Sequence, residues 1–157
     1  MTQRLNIFTA APEGAKAMMA VEAAIAASGL EHSLIELVKL RASQINGCAY
    51  CLHMHVVEAG ETNLRIHLLS AWHESAMFTD RERAALHWTE VLTTIASTGV
   101  SDADYALLQM QFDEREQGYL SLLIGTINSW NRIQVGFRGA HPADIAPCLP
   151  SEQQVSA

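Results

Sequence analysis

Residues 33–60 read SLIELVKLRASQINGCAYCLHMHVVEAG, two helical stretches separated by a strong stop signal at Asn46-Gly47. Ser33 is placed to cap the first stretch, LIELVKLRASQI, and Gly47 is a natural residue to end it. A second helix starts at Cys48 and runs through AYCLHMHVVEA to Gly60. The flanking sequence continues in the same manner. Residues 15–27 form an Ala-rich amphipathic helix closed by Ser28-Gly29, and Thr62 is a ready cap for NLRIHLLSAWHES. Thr79-Asp80-Arg81-Glu82 has capping-box form and opens ALHWTEVLTTIA. Ser101 or Asp102 begins a shorter helix. A long last one runs from Asp113 to Phe137, and its apolar centre, LSLLIGTINSW, predicts burial on most sides.

No run alternates apolar and polar residues for long enough to suggest a strand, and no hairpin turn joins two such runs. The expected fold is all-α, a bundle or array of six to seven helices in a single domain over residues 1–157. Residues 138–157, with three of the four prolines, are expected to be a loose tail.

At 157 residues the chain is long enough for one proper hydrophobic core. Its hydrophobic fraction of 49% against 17% charged residues marks a folding sequence. A mean hydropathy of +0.08 is apolar for a small monomer, so a homo-oligomer interface is expected to cover the surplus. The net charge of −7, with ten scattered Lys and Arg, leaves no basic stripe for phosphates and excludes a nucleic-acid partner. No apolar run reaches bilayer-spanning length, so no membrane partner is expected. AMMAVEAAIAASGL is apolar, but Glu13, Lys16 and Glu22 lie in or beside it and no basic segment immediately precedes an apolar core. It is read as the first helix of a cytoplasmic protein. In that compartment a close pair among three cysteines points to redox or metal chemistry.

Cysteines three apart on a helix have α-carbons separated by about 5 Å, within disulfide reach. Cys48 and Cys51 can therefore cycle between dithiol and disulfide with little backbone movement. Two effects favour a thiolate, and they point to different sulfurs. The helix N-terminus favours Cys48, whereas His55, four residues beyond Cys51 on the same face, favours Cys51. Glu36 lies 11 positions before Gly47 and His55 lies 8 after it. If the helices fold back antiparallel, those offsets are about 16 and 12 Å along the axes. The difference is within reach of a glutamate side chain plus one water, so Glu36 is a candidate to orient His55.

Plainer readings exist for each residue: Glu36 paired with Lys39 or Lys16, and His55 as a satisfied core histidine. His53 points to another face and Tyr50 flanks the pair. Cys148 lacks a neighbouring histidine, and His67, His73, His87 and His141 show no ligand-like spacing. Zinc held by Cys48, Cys51 and His55, with Glu36 or His53 as a fourth ligand, is the chemical rival. No second Cys/His pair supports it, and no metal or cofactor is expected. Leu52 directly after Cys51 excludes the usual c-type haem attachment.

Together Glu36, Cys48, Cys51 and His55 spell Glu-x11-Cys-x2-Cys-x3-His. This pattern resembles the active-site signature of alkylhydroperoxidase D-like proteins in the carboxymuconolactone decarboxylase superfamily. The resemblance runs from about Leu34 to Trp88, including LSAWHESAMFTDRERAALHWTE, and the later INSWNRI is similar to a terminal helix of short members. It implies an all-α fold assembled as trimers or hexamers, with the site close to subunit contacts. It also implies a peroxidase cycle. Cys51, deprotonated through His55 with help from Glu36, attacks a hydroperoxide, and Cys48 resolves the product to a disulfide. An external dithiol or disulfide-reductase donor then reduces that disulfide. One departure is Tyr50, where the best-known member has a further histidine. The superfamily's decarboxylases generally lack the cysteine pair. Competing expectations are a metal-binding or redox-sensing structural protein without turnover, and a cofactor-free decarboxylase or other lyase.

Overall fold

Every regular element among the described residues, 2–58 and 63–140 of the computed structural model, is helical. In chain order they are α1 (Ile7–Ala10), α2 (Pro12–Ala26), α3 (His32–Ile45), α4 (Ala49–Glu58) and α5 (Asn63–Leu68), then a 3-10 segment (Leu69–Glu74). α6 (Asp80–Thr93), α7 (Ile95–Thr98), α8 (Asp102–Gln109) and α9 (Glu114–Phe137) complete the set. The tail beyond residue 140, with His141 and Cys148, lies outside the described residues, as do Gly60 and Thr62.

α3 is the central element because its apolar residues recur on nearly every face. Leu37, Val38, Leu40 and Ala42 are fully buried, and the helix packs against α4, α6 and α9. One core cluster joins Leu34, Val38, Ala85, Trp88, Leu120 and Ile124. A second places Leu37 and Leu40 against Leu69, Trp72, Phe78 and Leu86. The third is small and holds Cys48 and Cys51 with Ala42 and Ile127.

Reciprocal caps define three helix starts. Thr79 with Glu82, Ser101 with Asp104, and Asp113 with Glu116 each satisfy two otherwise unpaired N–H groups. Ser33 does not cap α3, which begins two residues earlier than that cap implies, at His32, with Glu31 at the cap position and no side-chain bond there. The Glu31 carboxylate is instead paired with Arg81, whose guanidinium also meets Glu116 and the Gln111 carbonyl. Arg81 thereby ties together the first turns of α3, α6 and α9.

The helix expected over NLRIHLLSAWHES is broken, with Ala71 outside helical geometry (φ −119°, ψ 29°). The tighter 3-10 turn buries Leu69 and Trp72, and the Arg83 guanidinium satisfies the carbonyls of Trp72, His73 and Ser75. α9 is buried along Leu120, Leu123, Ile124 and Ile127, but Leu122 is 53% exposed, so within one chain it is covered on one side only. α1 and α7 are one turn each, too short for an apolar period to show. Among the described residues no helix is long and apolar enough to cross a membrane.

Candidate active site

The site begins with the way α3 stops. Gly47 adopts φ 64°, its N–H donates to the Gln44 carbonyl, and the Cys48 N–H donates to the Ser43 carbonyl. This double closure is a Schellman motif, and it requires a residue that tolerates the left-handed region. The chain leaves it directly into α4. Cys48 consequently sits at the cap position rather than in the first turn, and its Sγ accepts the Cys51 N–H at 3.3 Å. The two sulfurs are joined, with α-carbons 5.4 Å apart.

A buried amide cluster fixes this hairpin to α9. The Asn46 Nδ2 donates to Asn128 Oδ1 (2.9 Å) and Asn131 Oδ1 (2.8 Å), and Asn131 Nδ2 donates to Ser43 Oγ (3.0 Å). Ser43 and Asn131 are fully buried. An Asn-x2-Asn pair inside an apolar helix was the available signal, but its partners lie more than 80 residues away in sequence.

Glu36 of α3 meets His55 of α4 directly, Oε2 to Nδ1 at 2.9 Å, with no bridging water needed. Its other oxygen, Oε1, is 3.4 Å from Lys39 Nζ, which also pairs with Glu22 at 3.2 Å. Glu36 thus makes both contacts that its sequence position suggested, one per oxygen, while Lys16 is exposed. Glu58, one turn beyond His55, adds a second carboxylate at 3.3 Å from Nδ1 and had not been singled out from the sequence.

Burial pushes the Glu36 carboxyl up, but the hydrogen bond from His55 and the Lys39 ammonium outweigh it and hold the group below its ordinary range. For Lys39 burial pushes the ammonium down, and Glu36 and Glu22 more than compensate. An ionised carboxylate only accepts hydrogen bonds, so Nδ1 of His55 carries a hydrogen, and in the neutral imidazole that leaves the lone pair on Nε2.

A cavity of about 480 Å³ opens among α1, α2, α3, α4 and α9. Cys51, His55, Glu36 and Tyr50 line it, whereas Cys48, buried on the far side of the pair, is not part of its wall. Among the described residues, Glu36, His55 and Glu58 bring ligand atoms within 4.8 Å of one another, a set able to hold a divalent cation. It differs from the Cys48–Cys51–His55 set considered on spacing, and Lys39 already occupies one Glu36 oxygen.

This helical frame and its paired cysteines belong to a recognisable class. Residues 12–91 match the carboxymuconolactone decarboxylase family, and the chain belongs to that family as an alkylhydroperoxidase D-like member. The uncharacterised protein YdfG of Bacillus subtilis is 42% identical over 138 residues, which span 86% of this chain and 94% of YdfG. A solved structure from Agrobacterium tumefaciens, of unknown function and provisionally described as an antioxidant defence protein AhpD, shares 47% identity. Its TM-score is 0.86, covering 90% of this chain and 99% of that one. The debrominase Bmp8 aligns at TM-score 0.75 and 19% identity over 84% of this chain and 73% of its own, a likeness of fold alone.

Proposed function

We propose that this chain is a thiol-dependent peroxidase that reduces hydroperoxides through a Cys48/Cys51 dithiol–disulfide cycle assisted by His55 and Glu36. The observation that carries this reading is the asymmetry of the pair: Cys51 shares a cavity wall with His55, and Cys48 stands behind it within bonding reach. The provisional antioxidant description of the Agrobacterium tumefaciens relative supports the same reading.

In the reduced protein Nε2 of His55 takes the Cys51 thiol proton, and the Glu36 carboxylate on Nδ1–H stabilises the imidazolium that forms. The Cys51 thiolate attacks the terminal peroxide oxygen. A sulfur–oxygen bond forms, the oxygen–oxygen bond breaks, and the leaving alkoxide takes the proton from His55 to depart as an alcohol. Cys51 is now a sulfenic acid. The Cys48 thiol displaces its hydroxyl as water and closes the disulfide. An external dithiol returns the pair to the reduced form by two thiol–disulfide exchanges.

The test is steady-state hydroperoxide consumption with a small dithiol as donor. The expected result is turnover by the native chain and none by Cys51→Ser. Full turnover by Cys51→Ser overturns the mechanism.

A further inference from the structure

We propose that Phe8, carried on an N-terminal strap, is a specificity-determining residue for this site, with Trp130 forming an aromatic wall that favours hydroperoxides bearing a neutral ring over those bearing a carboxylate. This deepens the peroxidase reading and rests on it.

The cavity is far larger than the smallest peroxide requires. Hydrogen peroxide is little bigger than water, which occupies about 30 Å³ in the liquid, against about 480 Å³ here. That size suits a small organic molecule. Most of the lining is apolar and includes two soft thioethers, Met19 and Met54, well suited to an aromatic ring. The rings of Phe8 and Trp130 stack at 5.9 Å with planes 24° apart, and both face the cavity. Phe8 is still 48% exposed, so its ring retains area that a ligand can cover.

The fixed charges oppose an anion. Besides the imidazoles of His32 and His55, the charged side chains facing the cavity are Glu22, Glu36, Glu58 and Lys39. The ammonium is bound to two of the carboxylates, and with Glu58 the four side chains carry three negative charges against one positive. Glu58, with a half-exposed side chain, brings a negative charge to the solvent-facing side. A carboxylated ligand there loses hydration and meets that net negative charge.

The position of Phe8 is set by a few local contacts. Asn6 caps α1 by accepting the Phe8 N–H at 2.9 Å. Arg4 fastens the strap to the end of α9, its backbone N–H donating to the Phe137 carbonyl and its guanidinium to the Gly136 carbonyl. Both Phe8 and Trp130 lie outside residues 12–91, the part matched to the family.

The test compares kcat/KM of the native chain and Phe8→Ala for cumene hydroperoxide, its para-carboxylate analogue and hydrogen peroxide, with a small dithiol as donor. Native protein is expected to prefer cumene hydroperoxide to its carboxylate by about tenfold or more. Phe8→Ala is expected to lower kcat/KM for cumene hydroperoxide about tenfold, mainly through KM. The loss on hydrogen peroxide is several-fold smaller than on cumene hydroperoxide, and Phe8→Trp restores the preference. Equal use of the two cumene substrates by native protein, or an equal loss on every peroxide in Phe8→Ala, overturns the proposal. Calorimetric binding of cumyl alcohol and its para-carboxylate gives a readout independent of turnover. If no peroxide is consumed, the peroxidase reading fails. Selective binding of the neutral alcohol, weakened in Phe8→Ala, still supports the aromatic wall, and absence of that selectivity overturns it.

Discussion

In the proposed cycle His55 has two tasks, divided between its nitrogens. Glu36 and Glu58 hold Nδ1, at 2.9 and 3.3 Å, and the cavity side is left to accept a proton. Replacing His55 with Asn is expected to cut peroxide turnover about a hundredfold or more. It is also expected to raise the Cys51 thiolate pKa toward the unperturbed value of about 8.5, read by thiolate absorbance during titration. An unchanged thiolate pKa contradicts the assigned role. Glu36 has a stability signature as well. Its carboxyl is held below the ordinary value of 4.5, so the ionised form contributes stability that is fully present above that value. The contribution is lost as pH falls through the folded-state value. Urea unfolding across acidic pH should therefore show a shallower loss for Glu36→Gln than for the native chain. The meeting of Glu36 and His55 was legible as helix arithmetic about a single glycine. Glu58 was not, because a glutamate near the end of a helix has the same local pattern whether solvated or paired. Asn131 escaped for a different reason: its value lies in Ser43 and Asn46, partners that only the packing of α9 on α3 supplies.

At the level of elements, the α3–α4 hairpin is the device that aims the cysteines. Gly47→Ala forces a Cβ into the left-handed region and should cost about 1–2 kcal/mol in chemical unfolding, although no neighbouring atom crowds the position. A neutral substitution would mean that the turn is not held at φ 64°. Removing the α6 cap with Thr79→Ala should cost about 1 kcal/mol, since both halves of that box are made. Capping boxes and glycine stops are local, and the helix boundaries they mark agree with the sequence to within a few residues. The break at Ala71 is different in kind. NLRIHLLSAWHES has a continuous helical pattern, and the 3-10 turn wins because Arg83 of α6 takes its carbonyls while Trp72 enters the core.

Across the whole molecule, apolar side chains remain on the surface: Met110 at 68%, Leu64 at 56%, Leu122 at 53% and Ile95 at 50% exposed. We propose that a homo-oligomer, a trimer or hexamer, covers part of this area. Light scattering should report a mass of three or six chains at micromolar concentration, and a monomer there contradicts the proposal. The all-α class and the family were legible because helix period and a four-residue signature are carried by contiguous sequence. The cavity was not, because its walls come from α1, α2, α3, α4 and α9, and Phe8 and Trp130 meet across 122 residues. The proposed cycle turns on one atom, the Cys51 sulfur. One equivalent of hydroperoxide added to pre-reduced Cys48→Ser and Cys51→Ser proteins, followed by a sulfenic-acid trap and peptide mass analysis, identifies the attacking thiol. The mechanism predicts a trapped sulfenic acid on Cys51 in Cys48→Ser and none on Cys48 in Cys51→Ser. Trapping on Cys48 in Cys51→Ser, with Cys51 unmodified in Cys48→Ser, would contradict it.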